Sequence, residues 1–305
     1  MPIAGDNLYI NNGTAILFNE SFGSESAASS IGLIGGTSDN RPQLIIWNVT
    51  LNNVAINNAS QPYTGPASER PADYYAPKFG RLLIGGVVTN EGGSVTAAGN
   101  ISLLGGNSLD MVILPGSTFI NNGSLGVDPG STMRITGYDG STLENDKSIN
   151  DSSGRITIAA HLTGTGNVYV SGGAGGGSYS GNLEINAAVD AGQSFHLNRA
   201  VLQVDQPAGF LGQFDALPSQ GGGEVRLEGL SAASWDVNGS SVELFDAAGS
   251  VIDTVGLTAS QDPSTLTVYT GTDPTYGSVV SIGSGAGFGA PTPTDLLPYH
   301  TNTPA

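Results

Sequence analysis

Five carboxylates crowd one short stretch of the chain: Asp128, Asp139, Glu144, Asp146 and Asp151. Glycoside hydrolysis needs residues of this kind, one carboxyl donating a proton while a second activates water or attacks the sugar. On successive turns of a repeating fold, some of the five would line up. Their neighbours point to a plainer role. Asp128-Pro-Gly130 and Asp139-Gly140 are turn sequences, because Asp bonds its own backbone and Gly accepts the positive φ of a tight turn. Turn-filling is the reading favoured here, and no residue is assigned a catalytic role.

Other chemistry is sparser still. His161, His196 and His300 stand far apart, and none has a partner at metal-ligand spacing. His196, between Phe195 and Leu197, reads as a strand residue, and His300 as an exposed one. Gly172–Gly177 is rich in glycine, but no Lys-Ser/Thr follows and no helix begins there, so it is not a phosphate loop. No metal and no cofactor are expected. The best ligand candidate is an aromatic loop holding Tyr63, Asp73, Tyr74, Tyr75 and Phe79, whose rings could stack on sugars or anchor a partner. Packing back onto the fold, or capping one end of it, is the alternative.

The elements that must carry these residues follow from composition. Of 305 residues 46 are Gly, and only 11% are charged, while 38% are hydrophobic. Gly, Asn, Ser and Thr are poor helix formers, and disorder would require low hydrophobicity with high charge. An all-β chain of short strands and tight turns is expected. The net charge is −17 with nine scattered Lys and Arg, whereas nucleic-acid binding needs clustered cations. There is no Cys, which removes disulfides and thiol chemistry. No run approaches the roughly 18 apolar residues of a membrane helix, so no membrane insertion is expected.

Apolar residues alternate with polar ones in Met133–Thr136, Leu183–Asn186, Val225–Glu228 and Val242–Leu244, the pattern of half-buried strands. Larger echoes matter more. Gly116–Leu125 reads GSTFINNGSL and Gly140–Ile149 reads GSTLENDKSI, 24 residues later. Ile-Asn-Asn-[Gly/Ala]-[Ser/Thr] begins at Ile10, Ile56 and Ile120, with a looser Thr89–Ser94, and Arg134-Ile-Thr136 returns as Arg155-Ile-Thr157. Intervals of 21 to 24 residues match one turn of a single-stranded parallel β-helix (β-solenoid), each turn stacking on the last. Phe119 would then lie over Leu143 and Leu125 over Ile149 in the interior. Asn121 over Asn145 would form a hydrogen-bonded ladder at a turn. A β-sandwich would also give short alternating strands, but without a reason for such echoes.

This divides the chain into a parallel β-helix over 1–204 with a Pro/Tyr-rich loop at 61–80, C-terminal β coils and a hairpin-containing cap over 205–282, and a Gly/Pro-rich tail over 283–305. Four prolines in the 61–80 loop exclude a central strand there.

From about Leu162 to Leu257 the wording resembles autotransporter passengers and large repeat adhesins of Gram-negative bacteria. Leu162-Thr-Gly-Thr-Gly-Asn-Val-Tyr-Val170 is similar to their "L-T-G-T-G" strand. Val189-Asp-Ala-Gly-Gln-Ser-Phe195, Leu202–Phe214, Glu224–Leu230 and Val242–Val251 follow in the family's order. The resemblance implies a β-helix in an extracellular or cell-surface setting and transfers no catalytic residue. Gly172–Ser178 lacks the Asp of the calcium-binding nonapeptide, so a calcium-loaded roll is not implied.

The expected function is a non-enzymatic structural or adhesive protein. Its partners would be other copies of itself or cell-surface and matrix components, glycans among them. The alternative is a phage or secreted spike that binds or degrades polysaccharide.

Overall fold

The computed structural model describes residues 7–11, 14–18, 21–23, 29–34, 42–52, 54–57, 79–97, 107–172, 181–216, 221–275, 277–284 and 295–296. Within them the protein is all-β, its strands gathered in two long sheets of 16 and 12. The helical content is two single 3-10 turns, Pro207–Gly209 and Pro263–Thr265.

The chain alternates between the sheets. β1 (Asn7–Asn11) and β3 (Ser21–Gly23) lie in the larger sheet, and β2 (Thr14–Phe18) lies in the smaller. The next pass repeats that order as β4 (Ser29–Ile34), β5 (Gln43–Trp47) and β6 (Thr50–Asn52). β7 (Val54–Asn57), β8 (Phe79–Gly85) and β9 (Val87–Ala97) follow, then β10 (Ser108–Ile113) and β11 (Thr118–Val127). β12 (Thr132–Gly137), β13 (Thr142–Asn145), β14 (Ser148–Ser152), β15 (Arg155–Ala159), β16 (His161–Thr163) and β17 (Asn167–Ser171) complete two more passes. The last are β18 (Gly181–Ile185), β19 (Ser194–Asn198), β20 (Ala200–Val204), β21 (Gln213–Asp215) and β22 (Gly223–Glu228).

Every described pairing among these strands is parallel, and each return lands beside the previous visit. Thr118↔Thr142, Phe119↔Leu143, Asn121↔Asn145 and Leu125↔Ile149 are in register. Turns at the same place stack as well. Ser117 N–H donates to Leu114 O, Ser141 N–H donates to Tyr138 O, and Gly116 N–H donates across to Asp139 O at 3.0 Å. Gly116 and Gly140 have φ of 66° and 71°, a conformation Gly adopts without steric cost. That explains the Gly-Ser-Thr at the head of each echo.

Not every echo is a register. Arg134 pairs with Thr157 and Thr132 with Arg155, so the second Arg-Ile-Thr sits two residues out of step with the first. Side chains alternate faces with period two, so a two-residue offset keeps the same face inward. The Ile-Asn-Asn echo does not keep even the face: Ile56 is buried and pairs with Val95, whereas Ile120 is half-buried and pairs with Thr89.

The core consists of continuous rows. One runs Ile31, Ile56, Val95, Leu125, Ile149, Val168, Phe195, Phe214, Leu257. The smaller sheet answers with Leu44, Leu82, Met111, Ile135, Ile158, Ile185, Val204, Leu227. All are buried in one apolar cluster shared by both sheets, and removing this surface from water is the main stabilising term.

After β22 the pattern changes. β23 (Ser234–Asn238), β24 (Ser241–Phe245) and β25 (Val251–Leu257) are antiparallel neighbours, and β25 joins β21 in parallel. β26 (Thr267–Asp273) and β27 (Gly277–Ser284) form a hairpin that closes antiparallel on β22, and β28 (Asp295–Leu296), from the tail, pairs with β26.

Candidate functional site

Of the aromatic loop, Tyr63, Asp73, Tyr74 and Tyr75 lie outside the described residues, as does His300; Phe79 opens β8. The five carboxylates are spread over different turns of the chain. Asp139 occupies the exposed β12–β13 turn, and Asp128 follows β11, its backbone carbonyl accepting the Ser131 N–H. Asp151, at the end of β14, is 2% exposed and accepts the Gly154 and Asn182 N–H groups at 2.7 and 3.0 Å. Burial pushes its carboxyl up to about 6, against the opposing pull of those two donors. Glu144 and Asp146 are brought together. Burial, then the Asp146 charge and hydrogen bond, raise the Glu144 carboxyl above its usual value, while Asp146 accepts the Thr165 N–H at 3.0 Å. Among the described residues, no group of three or more His, Asp or Glu is placed to hold a metal ion.

Inside the fold, the in-register asparagines make a polar row. Asn90 Nδ2 donates to Asn121 Oδ1 at 3.0 Å, Asn121 Nδ2 to Asn145 Oδ1 at 2.9 Å, and Asn145 Nδ2 to Gln193 Oε1 at 2.9 Å. Gln193 Nε2 ends the row on the carbonyls of Asn145 and Thr163. All four side chains are fully buried. Desolvating an amide is tolerable only when its donors and acceptors are matched; the parallel register supplies the match along the row, except at its first member, where Asn90 Oδ1 is buried without a partner.

On the outer face of the larger sheet, a second row runs Asn150, Tyr169, His196, Asp215. Tyr169 stacks on His196 with centroids 4.9 Å apart and remains 43% exposed. His196 Nδ1 lies 2.8 Å from Asp215 Oδ2, and Nε2 lies 3.0 Å from Asn167 Oδ1. Thr258 and Ser260 donate to the same Asp215 oxygen at 2.9 and 3.0 Å. Burial pushes the Asp215 carboxyl up, but the hydrogen bonds from His196, Thr258 and Ser260 and the charge of His196 outweigh it, leaving it below the ordinary aspartate value. Ser, His and Asp are all present, yet the arrangement is not a nucleophilic triad. Both hydroxyls address the carboxylate, whereas a nucleophile must sit on the imidazole.

A third group lies on the smaller sheet. Arg226 Nε and Nη2 donate to the two oxygens of fully buried Glu224 at 2.7 and 3.3 Å. Glu228, on the same strand, is pushed up to about 7 by burial and then by Asp273, with Arg226 opposing.

Reading residue by residue missed the His196 row, although a signal was present. Aligning the apolar positions Val168, Phe195 and Phe214 sets Tyr169, His196 and Asp215 side by side. Nothing in the sequence marks Gln193 as the end of the asparagine row. No protein-family model matches the chain, and no curated protein matches it.

Proposed function

We propose that the two sheets are faces of a single-stranded parallel β-helix, and that the protein is a non-enzymatic structural or adhesive element of an extracellular or cell surface. The observation that carries this reading is the parallel pairing that runs from β1 to β22, with core rows and an amide row threading it. In such a body each layer is held chiefly by the layers stacked on it, and here the Asn145–Gln193 bond reaches one layer further. Its outer rows of half-exposed Ser, Thr and Asn, such as Ser124, Ser148, Asn167 and Ser194, present regular polar surface for glycans, matrix components or other copies. The wording shared with autotransporter passengers and repeat adhesins over 162–257 supports the same setting.

Electron microscopy and sedimentation of the purified protein, with binding to cells and glycan arrays, test the proposal. Rod-shaped particles that self-associate or bind support it. A strictly monomeric protein with no affinity for cells, glycans or itself overturns it.

The reading as a polysaccharide-degrading spike draws on the adjacent Glu144 and Asp146 carboxyls. Release of reducing ends from bacterial polysaccharides, abolished by Asp146→Asn, would promote it over the first.

A further inference from the structure

Both ring nitrogens of His196 face oxygen atoms, Asp215 Oδ2 on one side and Asn167 Oδ1 on the other. A neutral imidazole carries one N–H and one lone pair, whereas the protonated ring donates from both nitrogens. The Asp215 carboxylate accepts from the ring in either state, while the Asn167 amide meets a protonated Nε2 with its oxygen and a bare Nε2 with its nitrogen. When the ring is neutral, the Asn167 amide must turn over and offer its Nδ2, since oxygen and nitrogen of an amide are placed by their partners. The groups packed around the ring are Asn167 and Tyr169 on β17 and Asp215 on β21. Beyond β25, Thr258 and Ser260 reach the far side of Asp215.

Asp215 also lies at one of the two junctions between the antiparallel block and the parallel strands, β25 on β21, the other being β27 on β22. Thr258 N–H donates to Phe214 O at 3.0 Å, and Ala216 N–H donates to Gln261 Oε1 at 2.7 Å, buried. Phe214 pairs with Leu257. The Asp215 oxygen that holds His196 thus also holds the first residues after β25.

We propose that His196 is a proton-linked clasp. The doubly protonated ring ties β17 to Asp215, and Asp215 in turn seats the C-terminal antiparallel block on the parallel stack. Loss of one ring proton turns the Asn167 amide, weakens the hold on Asp215 and loosens the Thr258–Gln261 segment. The clasp stands independently of whether the protein is adhesive.

Amide hydrogen exchange on the full chain tests it, with rates corrected for the intrinsic effect of pH. The readout is protection of the Ala216 and Thr258 amides relative to those of β5, a strand without a titratable side chain. A charge-assisted hydrogen bond is roughly twice as strong as a neutral one, so this ratio should fall about fivefold between about pH 5 and about pH 8. In His196→Gln the ratio should no longer depend on pH. Asn167→Asp offers acceptors only, so the loss of protection should move to higher pH. Asp151 and Glu228 titrate in the same range, so wild type and both variants are compared in a background carrying Asp151→Asn and Glu228→Gln. A wild-type ratio that does not change overturns the clasp, as does a wild-type pH dependence surviving in His196→Gln or an unmoved transition in Asn167→Asp.

Discussion

Asn121 donates its side-chain Nδ2–H to Asn145 Oδ1 at 2.9 Å, across 24 residues of sequence and with neither residue exposed. Asn121 also accepts from Asn90 and Gly123 N–H and donates to Ser148 O at 2.9 Å. Asn121→Ala would orphan several of these groups at once, each at about 1–3 kcal/mol. Urea unfolding should show a loss of several kcal/mol, whereas Asn122→Ala, which removes a bond to Glu91 in an exposed setting, should change stability by no more than about 0.5 kcal/mol.

Two glycines of the echo should behave differently. A Cβ on Gly123 would collide with the Gly93 carbonyl oxygen and with the side-chain amide of Asn90, a member of the buried row. At Gly140 the space is open, and only the φ of 71° opposes a side chain. Gly140→Ala is expected to cost about 1–2 kcal/mol, and Gly123→Ala clearly more; thermal unfolding of the pair decides this.

Arg226→Met would leave the Glu224 carboxylate buried without its partner, an effect of about 3–5 kcal/mol. Replacing both, as Glu224→Leu with Arg226→Met, should recover most of that loss. A double variant no more stable than the single one would show that Glu224 is held by something other than Arg226.

Stability should fall as pH rises from mildly acidic to neutral. Asp151 has a folded-state value of about 6 against an ordinary 3.8, so the folded protein keeps a proton that the unfolded chain has lost. Its contribution is complete below about pH 4 and is lost as pH climbs through about 6, on the order of 2–3 kcal/mol in all. Glu228 acts in the same direction and up to about 7. Asp151→Asn should flatten the lower part of the curve and Glu228→Gln the upper part, read from urea midpoints across pH. Asp215 acts oppositely, since its lowered value means its contribution is lost as pH falls.

The all-β character and several in-register pairs were legible because alternation and turn chemistry are local. Phe119 with Leu143, Asn121 with Asn145 and Leu125 with Ile149 follow from one echo, and the looser Thr89–Ser94 echo places Asn90 under Asn121. The Arg134 echo misled by two residues because short polar-apolar alternation fits any even offset. The His196 row and the Glu224–Arg226 pair were not legible singly, since each joins residues whose proximity comes from strand stacking. A hairpin-containing cap was expected over 205–282, but which of its strands join the parallel ones, β25 on β21 and β27 on β22, leaves no mark in local pattern.

The intervals that separate stacked partners are unequal: Asn90 to Asn121 spans 31 residues, Asn121 to Asn145 spans 24, and His196 to Asp215 spans 19. Chain length between layers is therefore decoupled from who touches whom. Insertions and deletions confined to the connections can accumulate over generations without any core residue changing its neighbour. A one-residue change inside a strand would instead turn its whole apolar set outward. Changes of length are therefore expected to be tolerated in the connections, where a longer loop leaves the paired strands as they are.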